Sequence, residues 1–170
     1  GVQTCALPIF ADNPLPQPEE LYKQLNGGKK FTKLDLSELY QQVLLDEESR
    51  EYVTVNTHLG LFRYTRLPYG VAASSFVQQQ CMDKVVAGLH GVVWYGEDLI
   101  ITGTDDNDHM TNLDECLQRL DDFGIKVKKS KCAFLQDTIE YLGFKVNSEG
   151  IHSTSSNVQT ILNASRPKNV

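Results

Sequence analysis

GVVWYGEDLIIT, residues 91 to 102, holds two apolar arms around a polar tip. Val92 to Tyr95 and Leu99 to Thr102 are rich in β-branched and aromatic side chains, and Gly96-Glu97-Asp98 separates them. Such a stretch reads as a β-hairpin whose tip carries two adjacent carboxylates. A third acid in a strand-like setting lies upstream: Asp35 sits between Leu34 and Leu36, in a run from Phe31 that sets Phe31, Lys33 and Asp35 on one face and Thr32, Leu34 and Leu36 on the other. Strands seldom carry acids on their buried parts without a reason. Three carboxylates on sheet elements can hold two divalent ions about 4 Å apart, the arrangement that serves in-line phosphoryl displacement. On spacing alone, a polar turn and a paired strand acid are the favoured reading.

Working outward, Asn13 to Pro18 is Pro-rich and reads as extended. Leu21, Tyr22 and Leu25 have helical spacing within Glu19 to Leu25, and Asn26-Gly27-Gly28 supplies the stop. Tyr40 to Leu45 and Glu51 to Asn56 read as strands, and Leu59-Gly60 as a turn into Leu61 to Arg66. Phe76 to Leu89 reads as a helix. His109 to Phe123 reads as an amphipathic helix with Met110, Leu113, Leu117 and Leu120 as its apolar stripe, stopped by Gly124. Ile125 to Val127, Ala133-Phe134 and Ile139 to Val146 read as short strands, and Ser153 to Ala164 as the start of another helix. Hairpins outnumber regular βαβ units, so the expected class is α+β, helices packed on an antiparallel sheet.

The 170 residues suffice for one domain with its own core, and 41% apolar with 22% charged is an ordinary globular balance. No apolar run reaches membrane-spanning length, so no membrane partner is expected. Cys5, Cys81, Cys116 and Cys132 lack metal-finger spacing and read as reduced thiols of an intracellular protein. The net charge of −6 argues against nucleic-acid binding, but the charge is uneven. Asp105 to Asp122 carries seven acids and one Arg, whereas Lys126 to Lys131 carries four lysines and no acid. Residues 1–9, GVQTCALPI, resemble the translation of a sequencing adapter, show no period, cap or turn pattern, and are set aside from fold reasoning.

Four stretches together resemble one family: FTKLDLSELYQQV (31–43), GLFRYTRLPYGV (60–71), VVWYGEDLIITG (92–103) and KSKCAFLQDTIEYLGFKVNSEGI (129–151). In order and spacing they are similar to reverse transcriptases of gypsy-type long-terminal-repeat retrotransposons. The resemblance implies a right-hand polymerase, with palm at 10–42 and 74–152, a fingers portion at 43–73 and the start of a thumb at 153–170. It implies an RNA-directed DNA polymerase acting on a primed RNA or DNA template with deoxynucleoside triphosphates. Its cofactor would be two Mg²⁺ ions, with Mn²⁺ able to substitute. Asp35, Glu97 and Asp98 would be the catalytic, metal-holding carboxylates. Tyr40, Tyr69, Gly70, Tyr95 and Lys131 would meet the nucleotide, and the Tyr40 ring would exclude a 2′-hydroxyl. Leu67, Pro68, Gln79, Tyr141, Leu142 and Gly143 would meet primer or template. The resemblance also implies a cytoplasmic particle and a parent polyprotein with ribonuclease H and integrase.

Two departures stand out. The hairpin has Glu97 where the family has aspartate, a side chain about 1.5 Å longer, and an impaired enzyme is expected. Ser74 to Gln79 lacks the family's proline, and Phe76 is displaced from the family's phenylalanine. The other reading is an inactive remnant, at most a weak nucleic-acid-binding α+β domain.

Overall fold

The computed structural model describes residues 4–5, 17–154, 158–159 and 162–163. In chain order the elements are β1 (Thr4–Cys5), α1 (Pro18–Leu25), β2 (Lys30–Asp35), α2 (Leu39–Gln42) and β3 (Leu44–Leu45). A 3-10 turn (Ser49–Val53) precedes β4 (Thr54–Thr57), β5 (Gly60–Arg63), α3 (Ser74–Val86), β6 (Val92–Tyr95), β7 (Asp98–Gly103) and α4 (Asp106–Asp122). After a second 3-10 turn (Lys129–Lys131) come β8 (Ala133–Gln136), β9 (Thr138–Tyr141), β10 (Phe144–Asn147) and β11 (Gly150–Ser153).

The central sheet has the order β6-β7-β2-β8, and each neighbouring pair is antiparallel. Strand alternation splits its side chains between two cores. Leu34, Trp94, Leu99 and Ile101 face α3 and α4, meeting Met82, Val85, Leu113, Cys116 and Leu120. Phe31, Val93 and Ile100 face the other way, onto Leu21, Tyr22 and Leu25 of α1 and Ile139, Tyr141 and Val146 of the β9–β10 hairpin. A smaller core, with Val43, Leu45, Val53, Leu67 and Val77, joins the β4–β5 end of the molecule to α3. Each such apolar side chain contributes about 1.5–3 kcal/mol on burial. The expected α+β class and the 91–102 hairpin are both present. Among the described residues no helix is long and apolar enough to cross a membrane.

Several local readings are corrected. The segment 40–45 is mostly helical turn, with only Leu44–Leu45 in a strand. Gln42 explains the turn: its amide donates to Ser37 O and Lys126 O and accepts from the Lys126 N–H at 2.7 Å. The same bonds satisfy the N–H and carbonyl of Lys126, while Ile125 N–H donates to Leu120 O, and 125–127 joins no sheet. The expected strand at 51–56 begins only at Thr54, because the Asp46 carboxylate caps the Ser49 N–H at 2.7 Å and starts a 3-10 turn. The helix α4 starts at Asp106, earlier than expected, because the Asp105 carboxylate accepts from Asp108 N–H. Its buried stripe is His109, Asn112, Leu113, Cys116 and Leu120, while Met110 and Leu117 are exposed. The polar members are accommodated by bonds to the sheet: Asn112 donates to Thr102 O, and His109 Nε2 meets Thr32 Oγ1 at 2.8 Å.

The run 139–146 is two strands, split by a turn in which Leu142 and Gly143 both have positive φ, 47° and 81°. Thr4–Cys5, set aside above, pairs in parallel with Leu44–Leu45. Of the expected terminal helix, Ser153 closes β11, and Val158, Gln159 and Leu162 are helical; most of its other residues, like 13–16 of the extended segment, lie outside the described residues.

Candidate functional site

The β2–β7 register sets Asp35 directly opposite Asp98. Asp98 also stands opposite Tyr95 across the β6–β7 hairpin, whose turn is Gly96-Glu97. Directly opposed residues point to one face of a sheet, so the two aspartates share a face with Lys33. Lys33 Nζ donates to Asp98 Oδ2 at 2.7 Å. Asp35 Oδ1 accepts from the backbone N–H of Ser37 at 3.0 Å and from its hydroxyl, and Asp35 Oδ2 lies 3.5 Å from Lys131 Nζ. Burial pushes the Asp35 carboxyl pKa up, but the Ser37 bonds and the Lys131 charge outweigh it and hold the group below the usual carboxylate value.

The tip of the hairpin is tied at both carbonyls. Leu36 N–H, next to Asp35, donates to Glu97 O at 2.8 Å. Gln78 Nε2, from α3, donates to Gly96 O at 3.0 Å. Gly96 takes φ +64°, a left-handed value suited to glycine at a tight turn. Neither Gln78, Lys33 nor Ser37 was among the site residues expected from sequence. The one available signal was a glutamine on the apolar face of α3, beside Val77, Cys81 and Met82.

Tyr40 and Tyr69 meet with ring centroids 5.0 Å apart, and Tyr40 Oη lies 3.3 Å from Ser75 Oγ. Tyr69 is exposed, yet burial, followed by the charges of Glu97 and Glu38, pushes its phenol pKa up, which sets Glu97 within electrostatic reach of that ring. Leu67 and Pro68 are buried beneath Tyr69 and Gly70, and Pro68 O accepts from Ser74 Oγ at 2.8 Å. Tyr95 is half-buried and packs against the second core together with Leu142. Gln79 and Tyr141 are buried, at 7% and 1% exposure. Both side chains lie beneath the surface, Tyr141 in the core shared with Leu21, Tyr22 and Phe31. Leu142 and Gly143, at the β9–β10 turn, remain half-buried and exposed.

Of the three expected carboxylates, Asp35 and Asp98 stand opposite each other across the strands and Glu97 lies at the turn beside Asp98. Among the described residues no three His, Cys, Asp or Glu side chains gather where they could hold a metal ion. Asp98 is drawn to Lys33, and Asp35 to Ser37 and Lys131. The Asp35–Asp98 pair by itself fits a hard divalent cation, because Mg²⁺ commonly takes one or two protein carboxylates and completes its shell with water and substrate phosphate. Beside Asp35, Ser37, Gln42, Arg66, Lys126 and Lys128 help to line an open cleft of about 460 Å³.

Residues 5–146 match the family described as reverse transcriptase (RNA-dependent DNA polymerase). An uncharacterised protein of Caenorhabditis elegans is 36% identical over 155 residues, which is 91% of this chain and 12% of that protein. The retrovirus-related Pol polyprotein from transposon gypsy of Drosophila melanogaster is 32% identical over 150 residues, 87% of this chain and 14% of the polyprotein. That from transposon 412 of the same organism is 33% identical over 148 residues, 84% and 12%. The chain thus spans 12% to 14% of the length of these curated relatives. Among solved structures, a foamy viral protease-reverse transcriptase in complex with double-stranded DNA superposes with a TM-score of 0.83 at 21% identity, over 94% of this chain and 28% of that one. A foamy viral protease-reverse transcriptase bound to an RNA/DNA hybrid gives 0.79 at 22% identity, over 94% and 21%. The fold of this chain is theirs.

Proposed function

Because the chain belongs to the reverse transcriptase (RNA-dependent DNA polymerase) family, we propose that it forms the palm and part of the fingers of an RNA-directed DNA polymerase. The palm is assigned to 10–42 and 74–152, the fingers portion to 43–73, and the start of the thumb to 153–170. The observation that carries the reading is the cross-strand pair Asp35–Asp98 at the tip of the 91–102 hairpin. The substrates are a primed RNA or DNA template and a deoxynucleoside triphosphate. A bond forms between the primer 3′-oxygen and the α-phosphorus, and the bond from that phosphorus to pyrophosphate breaks.

Asp35 and Asp98, with Glu97 at the turn, would hold the divalent ions, Mg²⁺ or Mn²⁺. Bound there, they supply charge stabilisation to the attacking and leaving oxygens. Arg66, Lys126 and Lys128 outnumber Glu38 in the lining of the cleft beside Asp35, and Lys131 pairs with Asp35 itself, a positive setting that suits a triphosphate. Tyr40, braced against Tyr69, is set to meet the sugar and disfavour a 2′-hydroxyl. Tyr95 supports Asp98 from the neighbouring strand. Leu67, Pro68 and Gly70 shape the bed of Tyr69; Leu142 and Gly143 present the turn that meets the primer, with Tyr141 and Gln79 beneath the surface.

Glu97 lowers the expected rate. Its extra methylene displaces the carboxylate by about 1.5 Å, and a misplacement of about 1 Å costs on the order of 10²-fold. The test is primer extension on an RNA template in Mg²⁺ and in Mn²⁺. These residues would replace their counterparts in an intact gypsy-type polymerase, as they stand and with Glu97→Asp. Extension that rises about 100-fold or more with Glu97→Asp supports both the polymerase reading and the impairment. Equal extension by the two would remove the impairment. No extension by either favours the second reading, an inactive remnant that binds nucleic acid weakly. The Lys33 bond that occupies Asp98 is the observation in favour of that reading. Template–primer binding by the chain separates it from loss of all function.

A further inference from the structure

We propose that Gln78 is a positioning residue, whose amide sets the height of the Gly96-Glu97-Asp98 turn above Asp35. The inference rests on the reading of Asp35 and Asp98 as cation ligands. Asp35 lies on β2, and Asp98 stands at the mouth of a hairpin that pairs with β2. Beyond the strand pairing of Asp98 with Tyr95 and Asp35, two bonds to its carbonyls hold the turn. One is a backbone bond from β2, Leu36 N–H to Glu97 O. The other comes from a different element, Gln78 Nε2 to Gly96 O at 3.0 Å. Gly96 is exposed, has φ +64°, and nothing would meet a Cβ built on it. Side-chain packing therefore does not hold this residue, and the hydrogen bond from Gln78 does.

Gln78 is 4% exposed and shares the buried side of α3 with Val77, Met82 and Val85. An amide in such a place costs free energy unless its donors are met. A methionine of the same length would fill the space without that cost, so the amide is matched to the carbonyl it bonds rather than to the core around it. Because Glu97 and Asp98 follow Gly96 directly, a tilt of the turn moves both carboxylates relative to Asp35. Ligand groups need placing to within about 0.5 Å.

The experiment uses the chain as it stands and Mn²⁺ alone, followed by electron paramagnetic resonance, together with hydrogen exchange of the 92–103 peptide. Gln78→Met keeps length and packing and removes the donor; Gln78→Glu keeps shape and polarity and, ionised, also removes it. Both are expected to weaken Mn²⁺ binding about tenfold or more, to change the spectrum of the bound ion, and to speed exchange at the turn, with circular dichroism unchanged. Wild-type affinity and exchange in Gln78→Met would overturn the proposal, as would loss in Gln78→Glu alone. Asp98→Asn is the control for the underlying reading. If wild type takes up no Mn²⁺, or Asp98→Asn leaves uptake unchanged, the cation reading fails and exchange decides on Gln78. Faster exchange confined to 92–103 then supports its hold on the turn, and unchanged exchange refutes it.

Discussion

Lys33 and Asp98 are joined across the central sheet, Nζ to Oδ2 at 2.7 Å, on the face that also carries Asp35. The lysine occupies an oxygen that a divalent cation would use, so protein cation and metal compete. Lys33→Met is expected to tighten Mn²⁺ binding by roughly threefold to tenfold at low ionic strength, with less gain in salt. Both side chains are about a third exposed, so the stability cost is expected below about 1 kcal/mol. A Mn²⁺ titration beside a urea melt checks both, and weaker binding in Lys33→Met would make the lysine a support for Asp98 rather than its competitor.

The Asp35 carboxyl is held below its ordinary pKa by Ser37 and Lys131, against the opposing effect of burial. A depressed folded value means stability that is present above the unfolded pKa, about 3.9, and lost as pH falls through the folded value. The stability difference between wild type and Asp35→Asn should therefore shift in favour of Asn below about pH 4. Lys131→Met should move the wild-type acid transition upward. Urea midpoints from pH 2 to 6 supply the comparison.

His109 is fully buried, and burial pushes its imidazole pKa down, against the raising effects of the Lys30 carbonyl, Asp106 and Asp108. The unfolded chain therefore takes up a proton first. Stability is expected to fall as pH drops below about 6.5, and to level off once the folded imidazole also titrates. His109→Gln should flatten that slope between pH 7 and 5. A slope that survives the substitution would assign the effect to another group.

Gly103 is a glycine of contact rather than of conformation: a Cβ there would overlap the backbone of His109 at the start of α4. Gly103→Ala is expected to cost about 3 kcal/mol. Gly88→Ala, where a Cβ meets nothing but φ is +77°, should cost only about 1–2 kcal/mol. Urea melts that rank the two in the opposite order would contradict the close approach of α4 to the sheet.

Burial pushes the Cys116 thiol pKa up to about 12, and its side chain is fully enclosed. Cys132 is half-exposed. Iodoacetamide at pH 8 is expected to label Cys132 in the folded chain and Cys116 only in urea. Peptide mass mapping reads this directly.

The hairpin 91–102, the strand through Asp35 and helices α1 and α3 were legible because their information is local. Apolar alternation, helical spacing and glycine stops all lie within a few residues of what they determine. The turn at 39–42 and the unpaired run at 125–127 were not legible, since each is stabilised by the other through Gln42 and Lys126, which stand 84 residues apart. The stripe of α4 was misread for a related reason. His109 and Asn112 look like surface residues until Thr32 and the Thr102 carbonyl are brought to them. At the site, the resemblance supplied the aspartates, and the register places Asp35 opposite Asp98. It could not supply Lys33 or Gln78, whose importance lies in partners on other elements.

Strand β2 stands between β7 and β8, so Lys33 is paired with Ile100 on one side and with Ala133 on the other. A ribosome delivering this chain releases β2 long before either neighbour. Until β7 emerges both of its edges are open, and until β8 emerges one still is. Sheets closed by such distant segments order slowly, and open edges flanked by Phe31 and Leu34 invite pairing with other nascent chains. Completion of the central sheet therefore waits on β8, and a message broken upstream of Ala133 would yield a sticky, unfinished sheet.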